Sequence, residues 1–316
     1  MRKSWDNHQE RGSVLAMRLI TWIALIIGRP IARLLLYPIC FYFYIFIPRA
    51  RKASYEYLTR IFHRPARVGE VFRHFYWFAS TILDKVFMFR GDYRKFELNK
   101  YGVSVLRDVA ARQGCLFIGS HLGSFDIVRI SGTRYWDMIF NIMMYEENAK
   151  KMHKVVSSLD RSNHVKVLPI GGIDSLIRAK ECVDRGEMLA ILADRTLSGD
   201  KIVEVDFMGD KIHLPSGPFL TAAALKTPVI LFFPLYMGDN RYEVHFELFS
   251  EVITLSRGSR DKDLQQWVQR YANRLEYYCR YAPYNWFNYF DYWRNDSRPG
   301  SFENESTNEN KTAQIL

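Results

Sequence analysis

Two residues in one short stretch can do acid–base chemistry: His121 and Asp126, in Cys115-Leu116-Phe117-Ile118-Gly119-Ser120-His121-Leu122-Gly123-Ser124-Phe125-Asp126. The apolar run Cys115 to Ile118 reads as a short buried strand ending in Gly119-Ser120. A neutral imidazole delivered into the loop beyond such a strand accepts a proton near pH 7, and a carboxylate in reach fixes its tautomer. A hydroxyl attacking a carbonyl carbon needs such a base as the new bond forms. The carboxylate then stabilises the imidazolium, and N–H groups at the following helix start meet the oxyanion. Among the histidines, His121 alone has an aspartate five positions later. On a continuous helix that spacing points the side chains apart, so they meet only if the histidine lies in the loop before the helix. Gly119, Ser120 and Gly123 supply the loop and let a substrate approach the backbone, which makes Ser124 a candidate contact. The same pair also fits a core histidine beside a helix-capping aspartate, and the local sequence leaves both readings open.

Three further clusters follow strand-like or turn-like segments. Leu192-Ala193-Asp194-Arg195-Thr196 ends an apolar run. Functional ends of parallel strands collect on one side of a sheet, and Arg195 there can grip a phosphate or carboxylate. The alternative is an Asp–Arg pair solvating a loop. Leu214-Pro215-Ser216-Gly217-Pro218 opens a helix whose N-terminus, at Gly217, can hold an anion or line an acyl channel; a plain structural turn reads equally well. Glu146, in Tyr145-Glu146-Glu147-Asn148, can contact an acceptor or simply complement a helix dipole. The aromatic stretch Tyr281 to Phe290 fits either membrane contact or packing on a sheet.

These clusters must be held by a larger framework. Residues 50–90 carry helical periodicity as far as Gly91-Asp92. From about residue 100 the pattern alternates. Strand-like runs at Cys115 to Ser120, Ile139 to Met144, Val165 to Ile170, Glu187 to Ala193, Val229 to Met237 and Arg241 to Phe249 are separated by helical segments. The last helix is the amphipathic Asp261 to Tyr281. This order predicts an α/β domain with a central mixed, mostly parallel sheet flanked by helices. The domain is expected over 51–296, after a membrane-associated helical segment at 1–50 and before a polar tail at 297–316 expected to be disordered.

The N-terminal segment points to a membrane. Val14 to Ile27 and Leu34 to Ile47 are apolar runs of 14 residues each, shorter than the roughly 20 a spanning helix needs. A single span from Ile31 to Ile47, a kinked helix and a shallow hairpin all fit. Arg2, Lys3 and Arg11 before, with Arg49, Arg51 and Lys52 after, suit cytoplasmic flanks, and a buried core helix is the remaining alternative. The formal net charge of +10 fits nucleic acid, an anionic membrane surface, or an acidic protein or phosphorylated substrate as partner. Zinc-finger spacing, a basic recognition helix and an aromatic RNA-binding signature are missing, so nucleic acid is not expected. Cys40, Cys115, Cys182 and Cys279 are widely spaced and read as reduced thiols.

In order and content these motifs resemble the lysophospholipid acyltransferase superfamily, and within it the bacterial lipid A biosynthesis (lauroyl/myristoyl) acyltransferase branch. Gly119 through Asp126 fits the superfamily's His-x4-Asp motif. Ala193-Asp194-Arg195-Thr196, Phe207-Met208-Gly209, Leu214 through Pro218 and the aromatic Pro283 through Trp286 follow in the branch's order. The resemblance implies transfer of a fatty acyl group from an acyl thioester, carried by acyl carrier protein or coenzyme A, to a hydroxyl or amine of a lipid or glycolipid. It implies His121 as general base, Asp126 as the group orienting its ring, and no metal or cofactor. It also implies a bacterial inner-membrane location with the catalytic domain on the cytoplasmic side. A lipid hydrolase or thioesterase, and a non-catalytic membrane adaptor binding lipid or carrier protein, are the competing expectations.

Overall fold

The computed structural model describes residues 26–89, 91–125, 127, 139–145, 165–170, 172–196 and 200–293. They fall into two units. The first holds the described residues up to Arg94 together with Asn288–Asp291. Its helices are α1 (Arg29–Phe46), α2 (Pro48–Phe62) and α3 (Val68–Phe89). Pro30 sits in the first turn of α1, where its missing N–H costs no hydrogen bond. Ile47 ends α1 because a residue before proline is pushed out of the helical region. Pro48 then opens α2 at 97° to α1. The helical run expected over 50–90 is likewise two helices: it breaks around Arg64-Pro65 for the same reason, with His63 left-handed at a φ of 53°.

Ala32, Leu36 and Cys40 form the buried stripe of α1, while Leu34, Phe41, Tyr42 and Phe46 are exposed. Arg29 grips the fully buried Asp84 of α3 through Nε at 2.7 Å and Nη2 at 2.9 Å. Among the described residues no single helix is long and apolar enough to cross a membrane; α1 and α2 meet that test only as a bent pair. Residues 14–25 of the expected membrane segment, and the whole 297–316 tail, lie outside the described residues.

The second unit holds the described residues from Lys95 to Phe287 together with Tyr292 and Trp293. Its strands are β1 (Glu97–Tyr101), β2 (Cys115–Gly119), β3 (Phe140–Tyr145), β4 (Val165–Ile170), β5 (Met188–Leu192), β6 (Ile202–Phe207), β7 (Asp210–Pro215), β8 (Val229–Tyr236) and β9 (Arg241–Ser250). Its helices are α4 (Val103–Ala110), α5 (Gly172–Asp184), α6 (Gly217–Leu225) and α7 (Arg260–Tyr281). Seven strands form one sheet in the order β1-β9-β8-β2-β5-β3-β4. The stretch from β8 to β4 is parallel throughout, and only the β8–β9 pairing is antiparallel. The sheet is therefore mixed and mostly parallel, as the alternating pattern predicts. Strands β2 and β8 are buried at every residue, the mark of central strands covered on both faces. The antiparallel hairpin β6–β7 stands apart, turning at Met208-Gly209, both with positive φ, as a two-residue hairpin turn requires.

Glu187 opens β5 and anchors that end of the sheet. Its Oε2 accepts from Asn141 Nδ2 of β3 at 2.8 Å, and its Oε1 accepts from Arg185 Nε at 2.9 Å. The Arg185 hydrogen bond is the main cause that holds its carboxyl down at about 2. A carboxyl depressed in the fold contributes stability that is present above its unfolded value and lost as pH falls through the folded one. Glu187→Gln should therefore cost on the order of 1–2 kcal/mol at pH 7 and almost nothing near pH 2. Denaturant unfolding of both proteins at the two pH values checks this; an equal cost at both would remove the electrostatic account.

Candidate functional site

Strands β2 and β5 are parallel neighbours in register, with Gly119 opposite Leu192 where both end. Two residues beyond each end stand His121 and Asp194, so the pairing itself brings them level. The backbone reinforces the match: Ala193 N–H donates to Gly119 C=O at 3.0 Å, and the buried Tyr271 hydroxyl of α7 donates to the same carbonyl at 2.8 Å. Gly119 has to be glycine, since a Cβ there would lie 2.4 Å from the Phe232 ring.

His121 Nδ1 lies 2.8 Å from Asp194 Oδ1, and the His121 backbone N–H donates to Asp194 Oδ2 at 3.0 Å. An ionised carboxylate only accepts, so Nδ1 carries the proton and Nε2 carries the lone pair. The Asp194 side chain is fully buried, whereas that of His121 is 31% exposed. A buried carboxylate behind a half-open imidazole is the layout of a proton acceptor held from the rear.

Other groups complete the shell of Asp194. Trp286 Nε1–H donates to Oδ2 at 3.1 Å, and the Tyr292 hydroxyl donates to the Asp194 carbonyl. Burial first, and the Asp194 charge second, push the phenols of Tyr271 and Tyr292 well above the ordinary tyrosine range. Both therefore act as neutral donors. The segment Asn285 to Phe287 straps the histidine loop. Leu122 and Trp286 form an antiparallel bridge, Phe287 N–H donates to His121 C=O at 2.9 Å, and Gly123 N–H donates to Asn285 C=O at 2.8 Å. Gly123 has a φ of 77°, and a Cβ there would lie 1.7 Å from Pro234 O.

The other candidates fall in different places. Ser124 is buried beside the same loop, its N–H donating to Pro234 C=O at 2.9 Å and its hydroxyl without a hydrogen-bond partner among the described residues. Arg195 follows Asp194 directly, and its Nη2 donates to Phe287 C=O at 3.0 Å. Burial lowers its affinity for a proton, partly offset by Asp194. Gly217 is exposed in the first turn of α6, with open space where a Cβ would stand. Ser216 ahead of it is buried and donates its hydroxyl to Lys201 C=O rather than capping the helix. Asp126 and Glu146 lie outside the described residues.

At two places the structure decides between alternatives that the sequence leaves open. Asp194 does not solvate a loop with Arg195; it is fully buried against His121. The aromatic segment around Trp286 packs inward, with Trp286 fully buried. Sequence reasoning missed Asp194, Trp286 and Tyr292 as partners of the histidine. One signal was present: Asp194, like His121, stands just beyond an apolar strand-like run. All four cysteines are buried free thiols, and burial pushes Cys115 up, away from nucleophilic use.

Fold and site define an α/β domain that carries a histidine–carboxylate pair at the carboxyl ends of adjacent parallel strands. Residues 102–295 match the family model described as bacterial lipid A biosynthesis acyltransferase. That is more than half of the 316-residue chain, and the chain belongs to this family. Membership makes it an acyltransferase acting on lipid substrates. Among curated proteins none matches the chain significantly.

Proposed function

We propose that this protein moves a fatty acyl group from an acyl thioester to a hydroxyl or amine of a lipid or glycolipid. Acyl carrier protein is the preferred donor over acyl coenzyme A, because a carrier of acidic surface suits a chain of net charge +10. The observation that supports this reading most is the 2.8 Å contact between His121 Nδ1 and the buried Asp194 Oδ1. His121 Nε2 takes the acceptor proton as the acceptor oxygen or nitrogen bonds to the thioester carbon. The tetrahedral intermediate then expels the thiolate, which takes that proton back from the imidazolium. Asp194 keeps the ring in the basic tautomer and stabilises its charged form. Asp126, the acid of the His-x4-Asp motif, is assigned a share in orienting the ring. Ser124, Glu146, Arg195 and Gly217 are proposed as substrate contacts, with Arg195 toward an anionic group.

The exposed apolar residues Leu34, Phe41, Tyr42 and Phe46 on α1, followed by Arg49, Arg51 and Lys52, support attachment to an anionic membrane. We assign it to the cytoplasmic side of a bacterial inner membrane. The purified protein, given a dodecanoyl thioester of carrier protein and a bacterial lipid extract, should add one acyl chain to a defined lipid. Rapid release of free fatty acid without any acceptor would instead mark a thioesterase. Asp126→Ala should lower kcat about tenfold or more with little change in KM. An unchanged kcat removes its assigned role.

A further inference from the structure

We propose that Trp286 is a positioning residue of the acyl transfer: its indole N–H holds Asp194 so that the carboxylate stays aimed at His121 Nδ1. The proposal rests on the reading of His121 as general base.

The two oxygens of Asp194 are divided between tasks. Oδ1 faces the imidazole at 2.8 Å, while Oδ2 receives Trp286 Nε1–H at 3.1 Å and the His121 backbone N–H at 3.0 Å. Two donors on one oxygen resist rotation of the carboxylate, and a fixed carboxylate fixes the ring. Trp286 is itself held. Its ring packs edge-on against Tyr292 at 4.6 Å and against Phe207 at 5.4 Å. Its backbone bridges Leu122, next to the histidine. Asn285 beside it clamps the end of β8, accepting from Tyr236 N–H at 2.7 Å and donating to Tyr236 C=O at 3.0 Å. The strap therefore refers the position of the indole to the same sheet that delivers the histidine. A buried tryptophan needs one acceptor for its N–H, and this one spends it on the carboxylate behind the reacting ring.

Among the described residues, the titratable groups near the pair include Tyr271 and Cys279 of α7, Tyr292 of the C-terminal segment, and Arg195. Both tyrosines stay neutral, so the indole dipole is a main adjustable influence on the Asp194 charge. Deleting that donor leaves the carboxylate charge less compensated, which favours the imidazolium. His121 should then titrate at a higher pH, and the acidic limb of activity should follow it.

The test replaces Trp286 with 3-benzothienylalanine, which keeps the ring shape and loses the N–H, alongside Trp286→Phe. Trp267→Phe is the control, because Trp267 bonds the distant Thr254 carbonyl. The probe is diethyl pyrocarbonate, which modifies neutral imidazole; mass spectrometry of the peptide containing His121 gives its reactivity against pH. Both Trp286 variants should raise the His121 midpoint by about half a pH unit, a roughly threefold change in its protonation constant. They should lower kcat about tenfold with KM nearly constant. In an Asp194→Asn background the benzothienyl replacement should add no further loss, since its route to the histidine is already cut and the donor clash with the amide is relieved. An unmoved midpoint in the isosteric variant overturns the proposal, whatever happens to the rate. So does a full additive loss in the Asp194→Asn background. Should His121→Ala retain activity, the general-base reading itself fails; an inactive His121→Ala with an unmoved midpoint sinks only the role of Trp286.

Discussion

His121→Ala should abolish acyl transfer, by about a thousandfold or more, while the protein remains folded and keeps the membrane attachment proposed for it. The magnitude follows from the chemistry. An alcohol near neutral pH is a poor nucleophile until its proton has somewhere to go, and positioned bases contribute about 10²–10⁴ in rate. Among the described residues besides Asp194, the neighbouring ionisable groups offer no ready substitute. Arg195 stays protonated, and the phenols of Tyr271 and Tyr292 are neutral and buried. The fold should tolerate the change because the ring is 31% exposed and lies beyond the end of β2, while the backbone bonds of His121 to Asp194 and Phe287 survive the truncation. The measurement is single-turnover transfer from a dodecanoyl thioester, with circular dichroism and vesicle flotation as controls for folding and attachment. Turnover within tenfold of the parent enzyme would falsify the base assignment.

Asp194→Asn should be nearly as damaging, with kcat down about a hundredfold or more and KM little changed. The amide has two orientations and both fail. If its carbonyl faces His121 Nδ1, its NH₂ group meets the N–H of His121 and the indole N–H of Trp286, donor against donor, at positions where 3.0 and 3.1 Å contacts now exist. If instead the NH₂ group faces Nδ1, the imidazole must carry its proton on Nε2 and can no longer accept one there. A loss confined to KM would place Asp194 in substrate binding instead. The comparison with Asp126→Ala separates the two carboxylates: the larger kcat effect identifies the one that sets the tautomer.

The chain displayed its central strands openly. Cys115 to Ile118 and Val229 to Met237 read as strands because residues covered on both faces of a sheet form uninterrupted apolar runs. Helix α7 showed itself through its amphipathic period. Strand β1, Glu-Leu-Asn-Lys-Tyr, was invisible, because an edge strand half exposed to water needs no apolar run. The β6–β7 hairpin was not read as strands, since its residues alternate with exposed polar ones and form no apolar run. The break at Ile47 was marked by the proline that follows it; the break around Arg64 was missed although Pro65 follows there too.

What local sequence determined was that a histidine leaves a buried strand through a small-residue loop, and that a second acid leaves another such strand. Periodicity and turn chemistry act over a few residues, so they carry this much. Which strand lies beside which is decided by how seven strands share one core, and that is written nowhere in a local window. Only the adjacency and register of β2 and β5 bring His121 against an aspartate 73 residues away, and only the returning C-terminal strap sets an indole behind it.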